Sequence, residues 1–165
     1  PVVCAVNGLA YGGGFEIMIA CDIIIAADHA TFALPEIRSG VIADAATIKL
    51  PRRIPYHVAM EMLLTGRSFD AAEAKHWGII NEIVAADVLM TRAREVAEKL
   101  AGGPPLVYAA IKEVLERVHH LNDKEALALL NRRGLATISK LYASEDQLEG
   151  AKAFAEKRDP VWKGK

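Results

Sequence analysis

The fold is decided by residues 1–22, PVVCAVNGLAYGGGFEIMIACD. Residues 2–6 form a valine-rich apolar run without alternation, which is typical of a strand buried on both faces. Three glycines at 12–14 precede the almost wholly apolar segment 15–21, which predicts a short helix buried on all sides. Glycine permits a close approach of backbone to a ligand, and the N–H groups at a helix start point at that ligand. The stretch therefore predicts a strand, a ligand-binding turn and a buried helix.

A second buried strand is predicted at residues 22–28, followed by an extended piece at 30–34 that ends before Pro35. A strand, a helix and a strand in this order indicate a βαβ unit, and hence an α/β fold. Periodicity and caps then predict helices at 44–50, 55–66 and 70–78, and a third strand at 79–85.

From residue 86 onward the sequence predicts only helices, at 87–100, 104–121, 122–143 and 144–157. We therefore predict two parts, an α/β core at 1–85 and a helical region at 86–165.

Composition and charge exclude several classes of function. The chain has 165 residues, is 52% hydrophobic and has a net charge of −1, which predicts a globular protein with a real core. A near-neutral charge gives no electrostatic reason to expect nucleic acid or a membrane surface as a partner. No secretory pattern or membrane-spanning apolar run is present, so we expect a cytoplasmic location. Cys4 and Cys21 lie in apolar segments and are interpreted as buried free thiols, the alternatives being a disulfide or a catalytic thiol.

Two glutamates are the candidate acid/base groups. Glu16 stands in an otherwise apolar helix, where an unpaired buried carboxylate is costly, so it requires a purpose. That purpose is either chemistry or a structural role, such as a pair with Arg38 or capping of helix amides. Glu36 follows an apolar strand and a proline, and the alternative for it is an exposed loop acid.

Other cofactor-binding patterns are not found. The five histidines lack metal-ligand spacing with one another, so no metal site is predicted. The glycine triplet lacks both the lysine of a phosphate-binding loop and the third spaced glycine of a dinucleotide fingerprint.

A series of motifs resembles the crotonase (enoyl-CoA hydratase/isomerase) superfamily. They occur in the family's order and cover the whole chain: GLAYGGGFE at 8–16, CD at 21–22, TFALPE at 31–36, LTGR at 64–67, AAEAKHWGIINEIV at 71–84 and a lone lysine at 112. The ending SEDQLEGAKAFAEKRDPVWKGK at 144–165 and the GGGFE variant resemble the carnitinyl-CoA dehydratase subgroup.

The resemblance implies a crotonase-like (ClpP/crotonase) α/β fold, with a core of ββα spiral units followed by a C-terminal helical trimerisation region. It implies a homotrimer or homohexamer. Family members have a further N-terminal part of the core, which we expect to lie upstream of residue 1.

The resemblance also implies roles for the two glutamates and the glycines. Glu16 and Glu36 match the two acids that hold a water molecule and exchange protons with the 2- and 3-carbons of an acyl-CoA. The N–H of Gly13 matches half of an oxyanion hole, whose other half lies upstream in the family, and Gly12 matches a substrate-binding position. The implied activity is that of an enoyl-CoA hydratase or hydroxyacyl-CoA dehydratase without metal or redox cofactor, with coenzyme A as part of the substrate.

Further substrate contacts are implied at Phe154 and Lys157, where family members bind coenzyme A across a subunit interface. Residues 41–48, VIADAATI, depart from the proline and paired glycines that family hydratases often have. Asp44 in this segment is a candidate pocket residue, with a plain helix N-cap as the alternative. The remaining alternatives for the protein are an enoyl-CoA isomerase, a thioester hydrolase, and a non-catalytic crotonase-like subunit or inactive fragment.

Overall fold

Two three-stranded sheets form the framework of the first part of the chain. The structure is a computed structural model that describes residues 1–165, and it contains two units, Pro1–Glu98 and Lys99–Lys165. The strands are β1 (Val3–Val6), β2 (Leu9–Tyr11), β3 (Ile23–Ala27), β4 (Thr31–Ala33), β5 (Ser68–Asp70) and β6 (Glu82–Val84). The helices that begin in the first unit are α1 (Gly13–Ala20), α2 (Asp44–Lys49), α3 (Tyr56–Thr65), α4 (Ala71–His76) and α5 (Leu89–Ala101), with 3₁₀ turns at Pro35–Ser39 and Leu50–Arg52.

One sheet has the order β1-β3-β6 with all strands parallel, and the other has the order β2-β4-β5. In the second sheet β2 and β4 are parallel, while β4 and β5 are antiparallel. The predicted strands at 2–6 and 22–28 are confirmed as β1 and β3. All of β3 except Ile23 is buried, but the expectation that the first strand is buried on both faces is wrong, because only Val6 of β1 is buried and its other residues are half-buried. The carboxyl ends of β2 and β4 lie at the same edge of their sheet, because these two strands are parallel.

Three phenylalanines hold α1 against the second sheet. The ring centroid of Phe15 on α1 lies 6.3 Å from that of Phe32 on β4 and 5.9 Å from that of Phe69 on β5. Phe32 and Phe69 face each other in the strand register, with centroids 5.6 Å apart. All three side chains are buried, so this cluster fixes both the position of α1 and the pairing of β4.

The expectation that α1 is buried on all sides is wrong. Phe15, Met18 and Ile19 are buried, whereas the side chain of Ile17 is 71% exposed. The physical reason is that α1 packs on the core through one face only, so its other face has no neighbour within the described chain.

In the second unit α6 (Pro105–Val118), α7 (Asp123–Asn131), α8 (Ala136–Tyr142) and α9 (Glu145–Glu156) follow α5. The single helix predicted at 122–143 is wrong, since the chain breaks between α7 and α8. Arg133 there has φ +50°, and the N–H of Gly134 donates to the carbonyl oxygen of Leu129. The break lets Leu135 turn into a small core with Ala110 and Ile138.

The segment after α9 folds back along this helix. Asp146 is 3% exposed, and its carboxylate accepts from the N–H groups of Lys163 at 2.8 Å and Gly164 at 2.9 Å. Arg158 donates to both carboxylate oxygens of Glu149, which also accepts from the N–H of Val161. The predicted start of the helix at Ser144 is confirmed, because its hydroxyl accepts from the N–H of Gln147. None of the helices has the length and apolar character that crossing a membrane requires.

Candidate active site

The turn at Gly12 is the centre of the candidate site. Gly12 follows β2, has φ +55°, and donates its N–H to the carbonyl oxygen of Ala33 at the end of β4. A Cβ built on Gly12 would lie 2.9 Å from Oε1 of Glu36. Only glycine suits this position, because its backbone conformation is left-handed and a carboxylate occupies the space of a side chain.

Glu36 lies in the 3₁₀ turn that directly follows β4. Its Oε2 atom is buried and has no hydrogen-bond partner within the protein. Buried polar atoms are nearly always paired, so an unpaired carboxylate oxygen beside a glycine turn indicates a group that meets a ligand. The alternative of an exposed loop acid is therefore wrong for this oxygen.

Glu16 approaches the same turn from the first turn of α1. Its N–H donates to the carbonyl oxygen of Gly12 at 3.0 Å, and its Oε1 accepts from the N–H of Ala46 at 3.0 Å. Ala46 lies in the first turn of α2, so one oxygen of Glu16 is fixed by the start of another helix. Arg38 is not its partner, since this side chain donates to the carbonyl oxygen of Gly66.

Gly13 is the first residue of α1 and is exposed. The N–H groups in the first turn of a helix have no acceptor within that helix, so this one is available to a ligand. Its assignment as an oxyanion-hole donor stays a prediction.

The structure brings Gly12, Gly13, Glu16 and Glu36 to one turn, and α2 adjoins them through the bond between Ala46 and Glu16. Asp44 is exposed and is the first residue of α2. Its expected role as the N-cap is wrong, because the buried Ala43 occupies that position. Its role as a pocket residue stays a prediction.

The two predicted coenzyme A contacts belong to the second unit. Phe154 lies on α9 with its side chain 89% exposed, and Lys157 follows that helix with φ +53°. Their roles as coenzyme A contacts stay predictions.

A profile of the family described as enoyl-CoA hydratase/isomerase matches residues 1–165. The chain belongs to the enoyl-CoA hydratase/isomerase family. Among the relatives of this family member are carnitinyl-CoA dehydratases from Citrobacter koseri, 45% identical over 166 residues, and from Proteus mirabilis, 46% identical over 166 residues. Each comparison covers 100% of this chain but 64% of the relative, so the chain spans about two thirds of the length of these curated proteins.

Solved structures of the same family have the same fold. An enoyl-CoA hydratase from Bacillus anthracis superposes with a TM-score of 0.91 at 36% identity, covering 100% of this chain and 63% of that structure. An enoyl-CoA hydratase from Mycobacterium tuberculosis H37Rv gives a TM-score of 0.90 at 34% identity, covering 100% and 64%. The predicted crotonase-like α/β fold is confirmed, and so is the resemblance from which it was inferred.

Two residues near the site of this family member were not found by sequence reasoning. Ala46 acts through its backbone N–H, for which a sequence has no side-chain signal. Gly66 contacts the turn that holds Glu36, and its only signal was its place in the LTGR motif at 64–67.

A catalytic role for the thiol of Cys4 is not supported. Both cysteines are free thiols, as predicted, but they are half-buried rather than buried. Partial burial, together with the neighbouring Cys21, raises the pKa of Cys4 to about 11. A thiol with so high a pKa is protonated at neutral pH and is a poor nucleophile.

Proposed function

We propose that the protein is an enoyl-CoA hydratase or hydroxyacyl-CoA dehydratase, which reversibly adds water across the 2,3 double bond of an acyl-CoA thioester. The observation behind this proposal is the pair of glutamates at the Gly12 turn. Glu36 has a buried, unpaired carboxylate oxygen, and Glu16 has one oxygen fixed by the N–H of Ala46. The second oxygen of Glu16 and the unpaired oxygen of Glu36 are the two acid/base groups.

In the hydration direction, one glutamate takes a proton from water while the oxygen of that water bonds to the 3-carbon. The electron pair of the double bond moves toward the thioester and creates an enolate. The second glutamate then donates a proton to the 2-carbon. The proton taken from water returns from the first glutamate to the second, so the enzyme is restored and the net change is the addition of one water molecule. Dehydration follows the same steps in reverse.

The N–H of Gly13 would donate to the thioester oxygen as negative charge develops on it. One such donor stabilises a transition state by about 3–4 kcal/mol. The glycine at this position leaves room for the thioester to approach the backbone.

The presence of two acids favours water addition over migration of a double bond. Moving a double bond requires one group that shuttles a proton, whereas adding water requires a base for the water and an acid for carbon. The names of the relatives, carnitinyl-CoA dehydratase, favour a short hydroxyacyl-CoA or its dehydrated form as the substrate.

We further propose that the reaction needs no redox cofactor, since the addition of water changes no overall oxidation state. We also propose that it needs no metal, since the N–H of Gly13 would stabilise the enolate charge that a metal ion could otherwise stabilise. Coenzyme A enters as part of the substrate, and Phe154 and Lys157 are its proposed contacts. We propose a homotrimer or homohexamer in the cytoplasm, with residues 86–165 as the oligomerisation region. Exposed apolar side chains on α6 and α9 support this assembly.

The test uses the full-length protein with crotonyl-CoA and crotonobetainyl-CoA, and it measures the loss of enoyl-thioester absorbance. Glu16→Gln and Glu36→Gln should each lower kcat by about 10²–10⁴-fold. Glu98→Gln, which changes an exposed glutamate of α5, is the matched control and should keep wild-type turnover.

Four results would contradict the proposal. A protein inert on both substrates that isomerises a 3-enoyl-CoA is an isomerase, and one that cleaves the thioester is a hydrolase. A protein inert in all of these assays is a non-catalytic family member. If one glutamine variant keeps wild-type turnover, that glutamate is not an essential acid or base.

A further inference from the structure

Gly66, at the carboxyl end of α3, packs against the chain on both sides of Glu36. It has φ +59°, and its N–H donates to the carbonyl oxygen of Met62, so it ends the helix in a left-handed conformation. A Cβ built on it would lie 3.0 Å from Cγ2 of Ile37, 3.2 Å from the carbonyl oxygen of Leu34 and 3.3 Å from Cα of Pro35. Two of these three atoms belong to the backbone just before Glu36, and backbone cannot rotate away as a flexible side chain can.

A hydrogen bond also connects Gly66 to the turn that contains Glu36. The guanidinium of Arg38 donates to the carbonyl oxygen of Gly66 at 3.0 Å. Arg38 is two residues after Glu36 in the same 3₁₀ turn, so Glu36 lies between a packing contact and a hydrogen bond to one glycine.

The residue after Gly66 is fixed on two sides. Arg67 Nε donates to Oε1 of Glu61 at 2.9 Å, and its Nη1 donates to Oε2 of Glu73 at 2.9 Å. Glu61 is on α3 and Glu73 is on α4, so the guanidinium connects both helices. This ion-pair network lowers the pKa of Glu73, chiefly through its hydrogen bonds to Arg67. These bonds resist a movement of Gly66 away from the Glu36 turn.

On the other side, the carboxylate of Glu36 lies close to Gly12, since its Oε1 atom is 2.9 Å from the position that a Cβ on that glycine would take. A Cβ at residue 66 would have to push the turn by a few tenths of an ångström, and such a shift would change the position of the carboxylate relative to Gly12.

We infer that Gly66 is a positioning residue for Glu36, which acts by packing beneath its turn and accepting the hydrogen bond from Arg38. This inference rests on the proposed role of Glu36 as an acid or base. The LTGR motif, which contains neither of the proposed acid/base groups, would then be required for catalysis. A misplacement of about 1 Å in a reacting group lowers a rate by about 10²-fold, so a shift of a fraction of an ångström at Gly66 corresponds to a smaller loss, on the order of tenfold.

The test compares Gly66→Ala with Gly78→Ala in the full-length protein. Gly78 also has a left-handed backbone, with φ +74°, but a Cβ there would meet nothing within 4 Å. Both variants incur the same kind of backbone strain, and Gly66→Ala should lose more thermal stability than Gly78→Ala because its Cβ also meets neighbouring atoms. We expect Gly66→Ala to lower kcat at least about tenfold with little change in KM, and Gly78→Ala to change kcat less than about twofold.

A double-mutant cycle shows whether Gly66→Ala lowers kcat through Glu36. If Gly66 acts through Glu36, adding Gly66→Ala to Glu36→Gln causes no further loss of kcat. Arg38→Met should lower kcat in the same direction, and Arg38→Lys should restore part of it by keeping a donor. Additive losses in the cycle would overturn the inference.

The results separate this inference from the proposed function. Wild-type turnover in Glu36→Gln would contradict the proposed role of Glu36. Turnover in Gly66→Ala equal to that in Gly78→Ala, with Glu36→Gln inactive, would overturn the positioning role alone. A crystal structure of Gly66→Ala gives a readout that does not depend on activity, since a displaced Glu36 carboxylate supports the inference and an unmoved one overturns it.

Discussion

One carboxylate oxygen of Glu16 has a fixed partner within the protein. Oε1 is held by the N–H of Ala46, at the positive end of α2. This bond restricts the rotation of the carboxylate, and the other oxygen is the one that we propose for exchange of a proton with water. A side chain held in this way loses less conformational freedom when the substrate binds.

The space beside Gly12 leads to a prediction for Gly12→Ala. The left-handed conformation costs alanine about 1–2 kcal/mol, and the added Cβ would lie 2.9 Å from Glu36 Oε1. We expect a loss of thermal stability and a fall in kcat of about 10²-fold, because the carboxylate must move. Gly14→Ala is the control, since this helical glycine has nothing within 4 Å of its Cβ position. Gly14→Ala should leave the free energy of unfolding unchanged or raise it by about 0.5–1 kcal/mol. An equal loss of kcat and stability in both variants would contradict a specific role for the space beside Gly12.

Glu149 leads to a prediction about pH. The guanidinium of Arg158, together with the N–H of Val161, lowers the pKa of this carboxyl from its ordinary value of 4.5 to about 2. A lowered pKa stabilises the folded state above pH 4.5, and this contribution is lost as the pH falls from 4.5 toward 2. Thermal unfolding of wild type and Glu149→Gln should differ near neutral pH and converge in acid. A difference that stays constant through this range would show that Glu149 does not titrate with the expected pKa.

For single residues of the site, the sequence indicates which side chains can act as acids or bases, but it does not indicate which backbone N–H groups bind them. Glu16 and Glu36 stood out because carboxylates are rare within apolar segments. Ala46 did not, because any residue except proline supplies an N–H. The proposed pair between Glu16 and Arg38 was wrong because charge alone does not give distance.

Among the elements, β2 and β5 have only three residues each and were not predicted. Their pairing depends on β4, which lies 20 or more residues away in each case, and a local pattern does not contain such information. The break between α7 and α8 had one local signal, Gly134, which the amphipathic pattern around it obscured. Strands β1 and β3 and most helices were predicted because their burial is continuous or periodic along the chain.

The fold-back of the segment after α9 depends on Asp146. Asp146→Ala would leave the N–H groups of Lys163 and Gly164 without their acceptor, and we expect it to lower the free energy of unfolding by about 1–3 kcal/mol. Limited proteolysis after Lys163 should become faster at the same time. Glu145→Ala is the matched control, because the side chain of Glu145 makes only an exposed ion pair with Lys163 at 3.5 Å, and its backbone bond to Lys165 remains in alanine. Its effect should stay below about 1 kcal/mol, and a similar loss in both variants would contradict the assignment.

For the whole molecule, the prediction concerns assembly. Leu115 on α6 is 64% exposed, and the neighbouring Ile111 is also exposed, so this helix has an apolar outer face. In the proposed homotrimer or homohexamer such a face would be covered. Sedimentation velocity of the full-length protein should give a trimer or hexamer, and Leu115→Glu should shift it to smaller species. Glu116→Gln, at the adjacent exposed residue, should leave the assembly unchanged, and a monomeric wild-type protein would contradict the proposal.

The pairing of β2 with β4 limits how far the Gly12 turn and Glu36 can be displaced relative to each other. The register places Ala10 opposite Phe32, and Gly12 and Glu36 follow these strands at the same edge. A slip of one residue would move one strand by about 3.3 Å along the other and turn Phe32 away from the other two phenylalanines. The register of two paired strands can shift only by a whole number of residues, and a shift of one residue would disrupt the cluster of three phenylalanines. Two features thus determine the distance between the Gly12 turn and the Glu36 carboxylate. The register of β2 and β4 determines which residues lie at this edge of the sheet. The packing of Gly66 against the Glu36 turn determines the position of the carboxylate to within a fraction of an ångström.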